Sequence, residues 1–150
     1  MADRITPEQR SRNMQHVHGK NTKPEVYIRR LLFSEGYRYR IHSSRVPGHP
    51  DIWMKKYNTA IFVHGCFWHR HKGCKYASEP ATNSEFWSTK FIRNITRDME
   101  VKNLLLEKRI KCLVIWECTI KEMHRSQEKE KSVIMEIERF LNASEVFEEL

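Results

Sequence analysis

A mixed α/β fold is predicted by the order in which apolar patterns follow one another along the 150-residue chain. A helical pattern comes first, three short strand patterns follow, and a helix, a strand and a final helix complete the order. Strands joined by short turns form an antiparallel meander, and the last strand returns beside it after a helical crossover. We therefore expect a central mixed sheet flanked by helices, in one domain that covers residues 1–150.

The first helix is predicted by the segment TKPEVYIRRLLFSEG, residues 22–36. Thr22 and Glu25 have the spacing of a capping box, and Pro24 suits the first helical turn. Gly36 suits the C-terminal cap. Apolar residues at helical spacing then place Glu25 near the start of a helix that packs on the core; they are Val26, Ile28, Leu31 and Leu32.

The strands are predicted from alternation and turn signals. YRYRIH (37–42) alternates with period two, DIWM (51–54) follows the turn VPGHP, and TAIFVH (59–64) follows KYN. IKCLVIWEC (110–118) is a buried strand that ends at Cys118 and is expected beside TAIFVH. Its two faces are Ile110, Cys112, Val114 and Trp116 on one side, and Leu113 and Ile115 on the other.

Two further helices are predicted by helical apolar spacing. One covers residues 82–109 and starts with a capping box from Thr82 to Glu85. The other is a final helix from Gln127 to Asn142, after the last strand. The apolar positions expected in the first are Phe91, Ile92, Ile95, Met99 and Leu106, and those in the second are Val133, Ile134, Ile137, Phe140 and Leu141.

Positive charge is concentrated in one half of the chain. Residues 1–75 hold 15 Lys and Arg against 5 Asp and Glu, and residues 76–150 hold 12 against 14. A basic surface attracts polyanions, so nucleic acid is the expected partner, ahead of an anionic membrane surface or a merely soluble basic protein. Residues 1–21 read as a flexible basic arm or a short helix.

No apolar stretch is long enough to cross a bilayer, and the N-terminus lacks the apolar run of a signal peptide. We therefore expect a soluble, cytoplasmic protein without membrane contact.

Cysteine and histidine ligands cluster in VHGCFWHRHKGC, residues 63–74. Cys66, His71 and Cys74 have the spacing C-x4-H-x2-C, and Cys118 closes a tetrahedral Cys3His site if its strand lies beside TAIFVH. Such a closed, thiolate-rich site is typical of structural zinc. The alternatives are disulfides in a secreted chain, or buried thiols beside a surface histidine. Cys112, within an apolar strand, is interpreted as an ordinary buried thiol.

His64 and His69 remain beside this cluster, and Asp51 starts the neighbouring strand. A carboxylate near two imidazoles at the end of paired strands is typical of a site for a hard divalent ion and an activated water. The alternative is that both histidines are simply exposed.

Phe67 and Trp68 sit among basic residues directly after a predicted metal ligand. Adjacent aromatics most often pack in a core. Rigid apolar wedges on a basic surface also enter base stacks and kink a duplex. Met14 in the basic arm could act in the same way; the alternative is that it is an ordinary surface methionine.

Six motifs run through most of the chain: SRNM (11–14), PGHPDI (47–52), FVHGCFWHRH (62–71), PATNSEFW (80–87), KFIRNITRD (90–98) and VIWEC (114–118). Together they resemble the very-short-patch repair (Vsr) DNA mismatch endonuclease family. The resemblance implies a PD-(D/E)xK restriction-endonuclease-like core with a structural zinc loop. It also implies a bacterial-type enzyme of the nucleoid that nicks one strand of double-stranded DNA beside a T:G mismatch, which arises when 5-methylcytosine deaminates. Because a nick needs only one active site, we expect a monomer.

The same resemblance implies roles for individual residues of a magnesium-dependent site. Asp51 and the backbone carbonyl of Val63 would bind magnesium, and His69 would activate the attacking water. His64 and Asp98 would hold waters around the metal, while Glu25 would orient a water from the first helix. Further implied residues are the zinc ligands Cys66, His71, Cys74 and Cys118, the wedge Phe67, Trp68 and Met14, and the base contacts Lys90 and Asn94.

The chain departs from the family pattern at two positions. Val63 stands where the family often has threonine, and Cys74 comes one residue later than in the family's zinc loop. Two other functions compete with mismatch nicking: a restriction endonuclease of the same core that cuts both strands of matched DNA, and a zinc-stabilised DNA-binding module without catalysis.

Overall fold

The computed structural model of the chain describes residues 20–150. Expectations about residues 1–19, including Met14 and most of the basic arm, lie outside the described residues. No helix within residues 20–150 has both the length and the apolar character needed to cross a membrane. The helices are α1 (Lys23–Ser34), α2 (Ser84–Glu107), α3 (Glu117–Arg125) and α4 (Gln127–Asn142), and the strands are β1 (Ile52–Met54), β2 (Thr59–His64), β3 (Lys111–Trp116) and β4 (Phe147–Glu149).

The sheet is mixed, as predicted, with its four strands in the order β1-β2-β3-β4. β1 runs antiparallel to β2, whereas β2, β3 and β4 are parallel. The predicted neighbours β2 and β3 are paired so that Val63 lies opposite Ile115 and His64 lies opposite Trp116. The C-terminal end of β2 therefore emerges beside the end of β3.

Two apolar clusters cover the two faces of the sheet. Leu113 and Ile115 face a core formed with α1, α3 and α4. Cys112, Val114 and Trp116 face a second cluster that includes Leu105 of α2 and the loop residue Cys66. The predicted division of β3 between two buried faces is thus confirmed, and helices flank the sheet on both sides.

The predicted strand YRYRIH is wrong, because its residues make one isolated bridge, between Arg40 and Trp53. His42 adopts a left-handed backbone conformation with φ +47, which ends the extended segment. The Tyr39 hydroxyl donates to the carbonyl of Arg29 at 2.9 Å and so fastens the segment to α1. The meander therefore has two strands, and His42 turns toward α1.

Helix α1 begins and ends as its sequence predicts. The Thr22 hydroxyl accepts a hydrogen bond from the backbone N–H of Glu25 at 3.4 Å, and Gly36 has φ +93 just beyond the last turn. The Glu25 carboxylate contacts His42 and Arg29 instead of closing the capping box. This buried acid, 2% exposed, is thereby turned toward the sheet.

Helix α2 differs from its prediction at its start and in its orientation. It begins after Asn83, which has φ +55 and makes no side-chain cap, so the capping box from Thr82 to Glu85 is wrong. Ile92, predicted to be buried, is 64% exposed, and Ile95 and Met99 are exposed as well. The inner face instead follows the spacing 3, 4, 3, 4 through Phe91, Asn94, Asp98, Val101 and Leu105.

The C-terminal part adds two elements that were not predicted. β3 ends at Trp116, so Cys118 lies in the first turn of α3 and not at the end of a strand. α3 buries Ile120 and Met123, whereas β4 is a three-residue strand in the charged sequence FEE, which carries no apolar alternation. The bounds predicted for α4 are confirmed.

Candidate active site

A cleft of about 920 Å³ opens beside the C-terminal ends of β2 and β3. Asp51, His64, His69 and Asp98 all line it, so the fold brings together residues that the sequence separates by up to 47 positions. Basic side chains surround these groups and favour a polyanionic ligand. They are Lys20, Arg70, Lys72, Arg97 and Lys102.

His64, His69 and Asp98 form one group of potential metal or proton-transfer ligands, with one atom from each within 4.8 Å of the others. The two imidazole rings stack, with centroids 3.9 Å apart and an angle of 3°. Nδ1 of His69 lies 2.7 Å from Oδ2 of Asp98, which reaches it from the inner face of α2. Burial lowers the pKa of His64 to about 3, so this ring is neutral near pH 7.

Asp51 lies immediately before β1 and faces β2. Its Oδ2 accepts a hydrogen bond from the backbone N–H of Val63 at 2.7 Å. Burial raises the pKa of Asp51 to about 6, against the effect of that hydrogen bond. A buried carboxylate that is hard to ionise gains most from a nearby cation.

A second group of three ligands joins α1 to the same cleft. One atom each of Glu25, His42 and Asp51 lies within 4.8 Å of the others. Nε2 of His42 is 2.5 Å from Oε1 of Glu25, and Nη1 of Arg29 approaches the same oxygen at 3.5 Å. Asp51 thus lies in the same cleft as the buried acid of α1, His64 at the end of β2 and His69 in the following loop.

The predicted cysteine and histidine ligands also meet. One ligand atom from each of the four lies within 4.8 Å of the others. Nδ1 of His71 is 3.6 Å from Sγ of Cys66 and 3.4 Å from Sγ of Cys118, and the Cys118 backbone N–H donates to Cys66 Sγ at 3.3 Å. Gly73, directly before Cys74, has φ +71 and open space around it. These residues can hold a four-coordinate metal ion.

Trp116 forms the wall between the cysteine cluster and the cleft. Its ring stacks on His71 with centroids 4.1 Å apart and an angle of 6°, and it meets His64 edge-on at 5.3 Å. Trp116 is 7% exposed. The Trp116 indole therefore contacts both a ligand of the cysteine cluster and a histidine of the cleft.

An aromatic ledge joins the loop after β2 to the start of α2; it consists of Phe67, Trp68, Phe86, Trp87 and Phe91. Phe67 meets Trp68, Trp87 and Phe91 edge-on, with centroids 5.2 to 5.4 Å apart. Phe86, at the start of α2, is 60% exposed. Phe67 and Trp68 are half-buried, so they pack on the ledge and also present surface to a ligand.

The two predicted base contacts lie on α2 beside this ledge. Nζ of Lys90 is 5.0 Å from the centre of the Trp68 ring, and Nδ2 of Asn94 donates to the carbonyl of Trp68 at 2.9 Å. Asn94 therefore fixes the backbone that carries Trp68 and His69.

Three residues of this site were missed in the sequence. His42 was placed at the end of a strand, and Trp116 was assigned to a core face, although both border the cleft. Trp87 stood within a quoted motif without a role; its spacing of four from Phe91 could have indicated a shared helix face.

Comparison with known proteins places these features in one family. The family described as "DNA mismatch endonuclease Vsr" matches residues 2–75. The Type II nicking enzyme V.NmeAIP of Neisseria meningitidis serogroup A is 39% identical over 91% of this chain and 97% of its own. The Type II nicking enzyme V.XorIIP of Xanthomonas oryzae pv. oryzae is 37% identical over 89% of this chain and 98% of its own. The DNA mismatch endonuclease Vsr of Escherichia coli K12 is 36% identical over 81% of this chain and 77% of its own.

These relatives cover the segments that supply the cleft, the cysteine loop and the inner face of α2. The sequence identity with V.NmeAIP extends over most of both chains. This chain also has a mixed α/β fold and a basic cleft lined by carboxylates and imidazoles. The chain belongs to the DNA mismatch endonuclease Vsr family.

Proposed function

We propose that this protein nicks one strand of double-stranded DNA beside a T:G mismatch, in a reaction that depends on magnesium. The observation that carries the proposal is the pair formed by His69 and Asp98, 2.7 Å apart, next to half-buried Asp51 in a basic cleft. Relatives named as nicking enzymes and a mismatch endonuclease support it. One strand needs one active site, so a monomer suffices.

His69 is the proposed general base. A hydrogen bond from its Nδ1–H to Asp98 leaves Nε2 as the proton acceptor and stabilises the imidazolium that forms. Histidine suits this step because its ordinary pKa lies near neutrality. The Asp98 carboxylate therefore orients His69, in addition to the water-holding role that the family resemblance implies.

Asp51 and the carbonyl of Val63 are the proposed magnesium ligands. Their oxygen donors suit a hard cation, and because burial raises the pKa of Asp51, a nearby cation would stabilise its ionised form. Neutral His64 does not repel a cation, and it and Glu25 are placed to hold surrounding waters. When bound, magnesium stabilises the negative charge that develops on the phosphate and on the leaving oxygen.

Zinc is the proposed occupant of the cysteine cluster. A tetrahedral ion with Zn–S bonds of about 2.3 Å and a Zn–N bond of about 2.0 to 2.1 Å has S···N edges of roughly 3.5 Å. The two measured S···N distances, 3.4 and 3.6 Å, match those edges. Four protein ligands leave no open position, so this zinc is structural and forms the zinc loop of a PD-(D/E)xK-type core.

Mismatch recognition is assigned to the aromatic ledge. Mismatched pairs need less energy to unstack, so an apolar wedge converts their weakness into selectivity. Phe67 and Trp68 directly precede His69, which places the proposed wedge and the proposed base on one short segment. Lys90 and Asn94 lie beside Trp68, where bases next to the wedge would pass.

Strand-resolved cleavage of paired duplexes tests the proposal. One duplex carries T:G within a cytosine-methyltransferase site and the other is fully matched, each with magnesium or with chelator. We expect a magnesium-dependent nick in the T strand of the mismatched duplex and its loss in Asp51→Asn. Cleavage of both strands in matched DNA would replace the proposal with a restriction activity, and binding without cleavage would replace it with a DNA-binding module.

A further inference from the structure

Glu25, His42 and Asp51 come from three different parts of the fold and converge at one point. Glu25 is in the first turn of α1, His42 follows the segment that bridges to β1, and Asp51 directly precedes β1. One ligand atom from each lies within 4.8 Å of the others. Atoms that bind one metal ion have separations of this size.

The backbone at His42 is held in an uncommon conformation that directs its ring to this point. His42 has φ +47, a region that non-glycine residues seldom occupy. Nε2 reaches Glu25, and the ring lines the same cleft as Asp51. His49 shares the left-handed conformation and also lines the cleft, so the contact with Glu25 is what distinguishes His42.

The donor set differs chemically from one made of oxygen atoms alone. Two carboxylates satisfy a hard cation, whereas an imidazole nitrogen binds first-row transition ions more strongly than it binds magnesium. A mixed site of one nitrogen and two carboxylates therefore favours manganese over magnesium.

We propose that His42 is a direct ligand, together with Glu25 and Asp51, for a divalent transition cation such as Mn²⁺ in the cleft. The inference rests on the proposed metal-dependent nuclease, because Asp51 belongs to both ligand sets. It assigns Glu25 to the metal itself and makes the metal preference a property of this loop.

Manganese binding to the zinc-loaded protein tests the inference without any cleavage. Free Mn²⁺ is titrated by electron paramagnetic resonance, and nitrogen coupling to bound Mn²⁺ is recorded by pulsed measurements on protein with ¹⁵N-labelled histidine. In His42→Gln the Kd for Mn²⁺ should rise at least about tenfold and the nitrogen coupling should weaken. The Kd for Mg²⁺, measured by competition, should change by less than about threefold, because the amide oxygen still suits a hard ion.

His49→Gln is the matched control, because His49 lines the same cleft in a left-handed conformation but does not belong to the ligand group. It should bind Mn²⁺ like the wild type. The amide in His42→Gln can still donate to Glu25, so a role limited to that hydrogen bond would leave the Kd for Mn²⁺ unchanged and overturn the inference. Wild-type protein without nitrogen coupling would overturn it even if the variant fails to fold.

The inference and the proposed function fail in different experiments. Magnesium-dependent nicking of T:G DNA combined with unchanged Mn²⁺ binding in His42→Gln would reject the His42 ligand and retain the enzyme. Weakened Mn²⁺ binding in His42→Gln, combined with a wild-type protein that does not nick T:G DNA, would retain the His42 ligand and reject the proposed nicking activity.

Discussion

Asp98 controls which nitrogen of His69 faces the cleft. Its carboxylate lies 2.7 Å from Nδ1, and a carboxylate can accept a hydrogen bond but not donate one. The proton of the neutral ring is thereby held on Nδ1. The residue that would accept a proton from water is thus prepared by a partner 29 positions away.

Asp98→Asn should slow nicking about 10²- to 10⁴-fold with little change in DNA affinity. The amide can donate to Nδ1 and move the ring proton to Nε2, the atom needed as acceptor. Single-turnover nicking and fluorescence anisotropy with T:G duplex separate the two effects. Glu100→Gln, an exposed acid on the same helix, should nick like the wild type. Equal rates for both variants would remove Asp98 from the mechanism.

Asp51 and His64 should have opposite effects on stability as the pH changes. The folded-state pKa of His64 is about 3, below its ordinary 6.5, so its contribution is lost as the pH falls below 6.5. The folded-state pKa of Asp51 is about 6, above its ordinary 3.8, so its contribution increases as the pH falls through 6. Between about pH 4 and pH 6 the two slopes, each up to about 1.4 kcal/mol per pH unit, offset one another.

Asp51→Asn should therefore reveal the contribution of His64. Without added divalent cations, its free energy of unfolding should drop by about 1 kcal/mol more than that of the wild type between pH 6 and pH 5, because Asp51 with a pKa of about 6 goes from half to mostly protonated over this range. Urea unfolding at the two pH values measures this difference, since both proteins share every other titrating group. Parallel curves for the two proteins would show that the two groups do not offset one another.

The start of α2 and the loop after β2 are held together by aromatic contacts. Phe67 touches Trp87 and Phe91, and the α2 side chains Lys90 and Asn94 contact Trp68. Because His69 follows Trp68 directly, insertion of the ledge into DNA would act on the segment that carries the proposed base. Recognition and chemistry would then share the loop after β2 and the start of α2.

Trp68→Ala should reduce the preference for T:G over T:A duplex about tenfold, the loss expected for one base-stacking ring. The ratio of the two nicking rates at equal enzyme concentration measures it. Ile92→Ser alters an exposed residue on the opposite face of α2 and serves as the control. An unchanged ratio in Trp68→Ala, with zinc content and melting temperature preserved, would contradict the wedge.

The secondary structure could be predicted where one physical signal dominated. β3 and α4 have long apolar patterns and were predicted with the correct buried faces. The strand YRYRIH, in contrast, alternates correctly but pairs at one position, since Tyr39 is fastened to α1 and His42 turns. In α2 the polar inner residues Asn94 and Asp98 serve the cleft, so hydrophobicity gave the wrong face.

The cysteine cluster joins the loop after β2 to the first turn of α3. Cys66, His71 and Cys74 come from the loop, whereas Cys118 comes from the helix that starts after β3. The loop contributes Cys66 to the apolar cluster on the α2 side of the sheet. A metal ion bound by these four residues would link the loop after β2 to α3 on the α2 side of the sheet.

Cys118→Ser should lose bound zinc and lower the melting temperature by about 6 to 12 °C, equivalent to about 3 kcal/mol for a chain of this size. Metal analysis and thermal unfolding measure both changes. Cys112→Ser is the control, because Cys112 is buried in β3 outside the cluster, and it should keep its zinc. Full zinc content in Cys118→Ser would exclude Cys118 from the site.

Much of the candidate site could be named from the sequence because its residues lie in short motifs. Four of them fall within eight positions, at the end of β2 and in the loop that follows it: His64, Cys66, His69 and His71. The approach of His42 to Glu25 and Asp51 could not be found in this way. Glu25, His42 and Asp51 approach only when α1 folds over the segment before β1, and no local pattern encodes that contact.

The spacing on the inner face of α2 limits where relatives of this enzyme can gain or lose residues. Phe91 and Leu105 anchor the helix, and Asp98 reaches His69 from the turns between them. Inserting or deleting one residue between Phe91 and Asp98 would rotate Asp98 by about 100° about the helix axis and separate it from His69. Length differences among active relatives should therefore fall in loops and never in that stretch of α2.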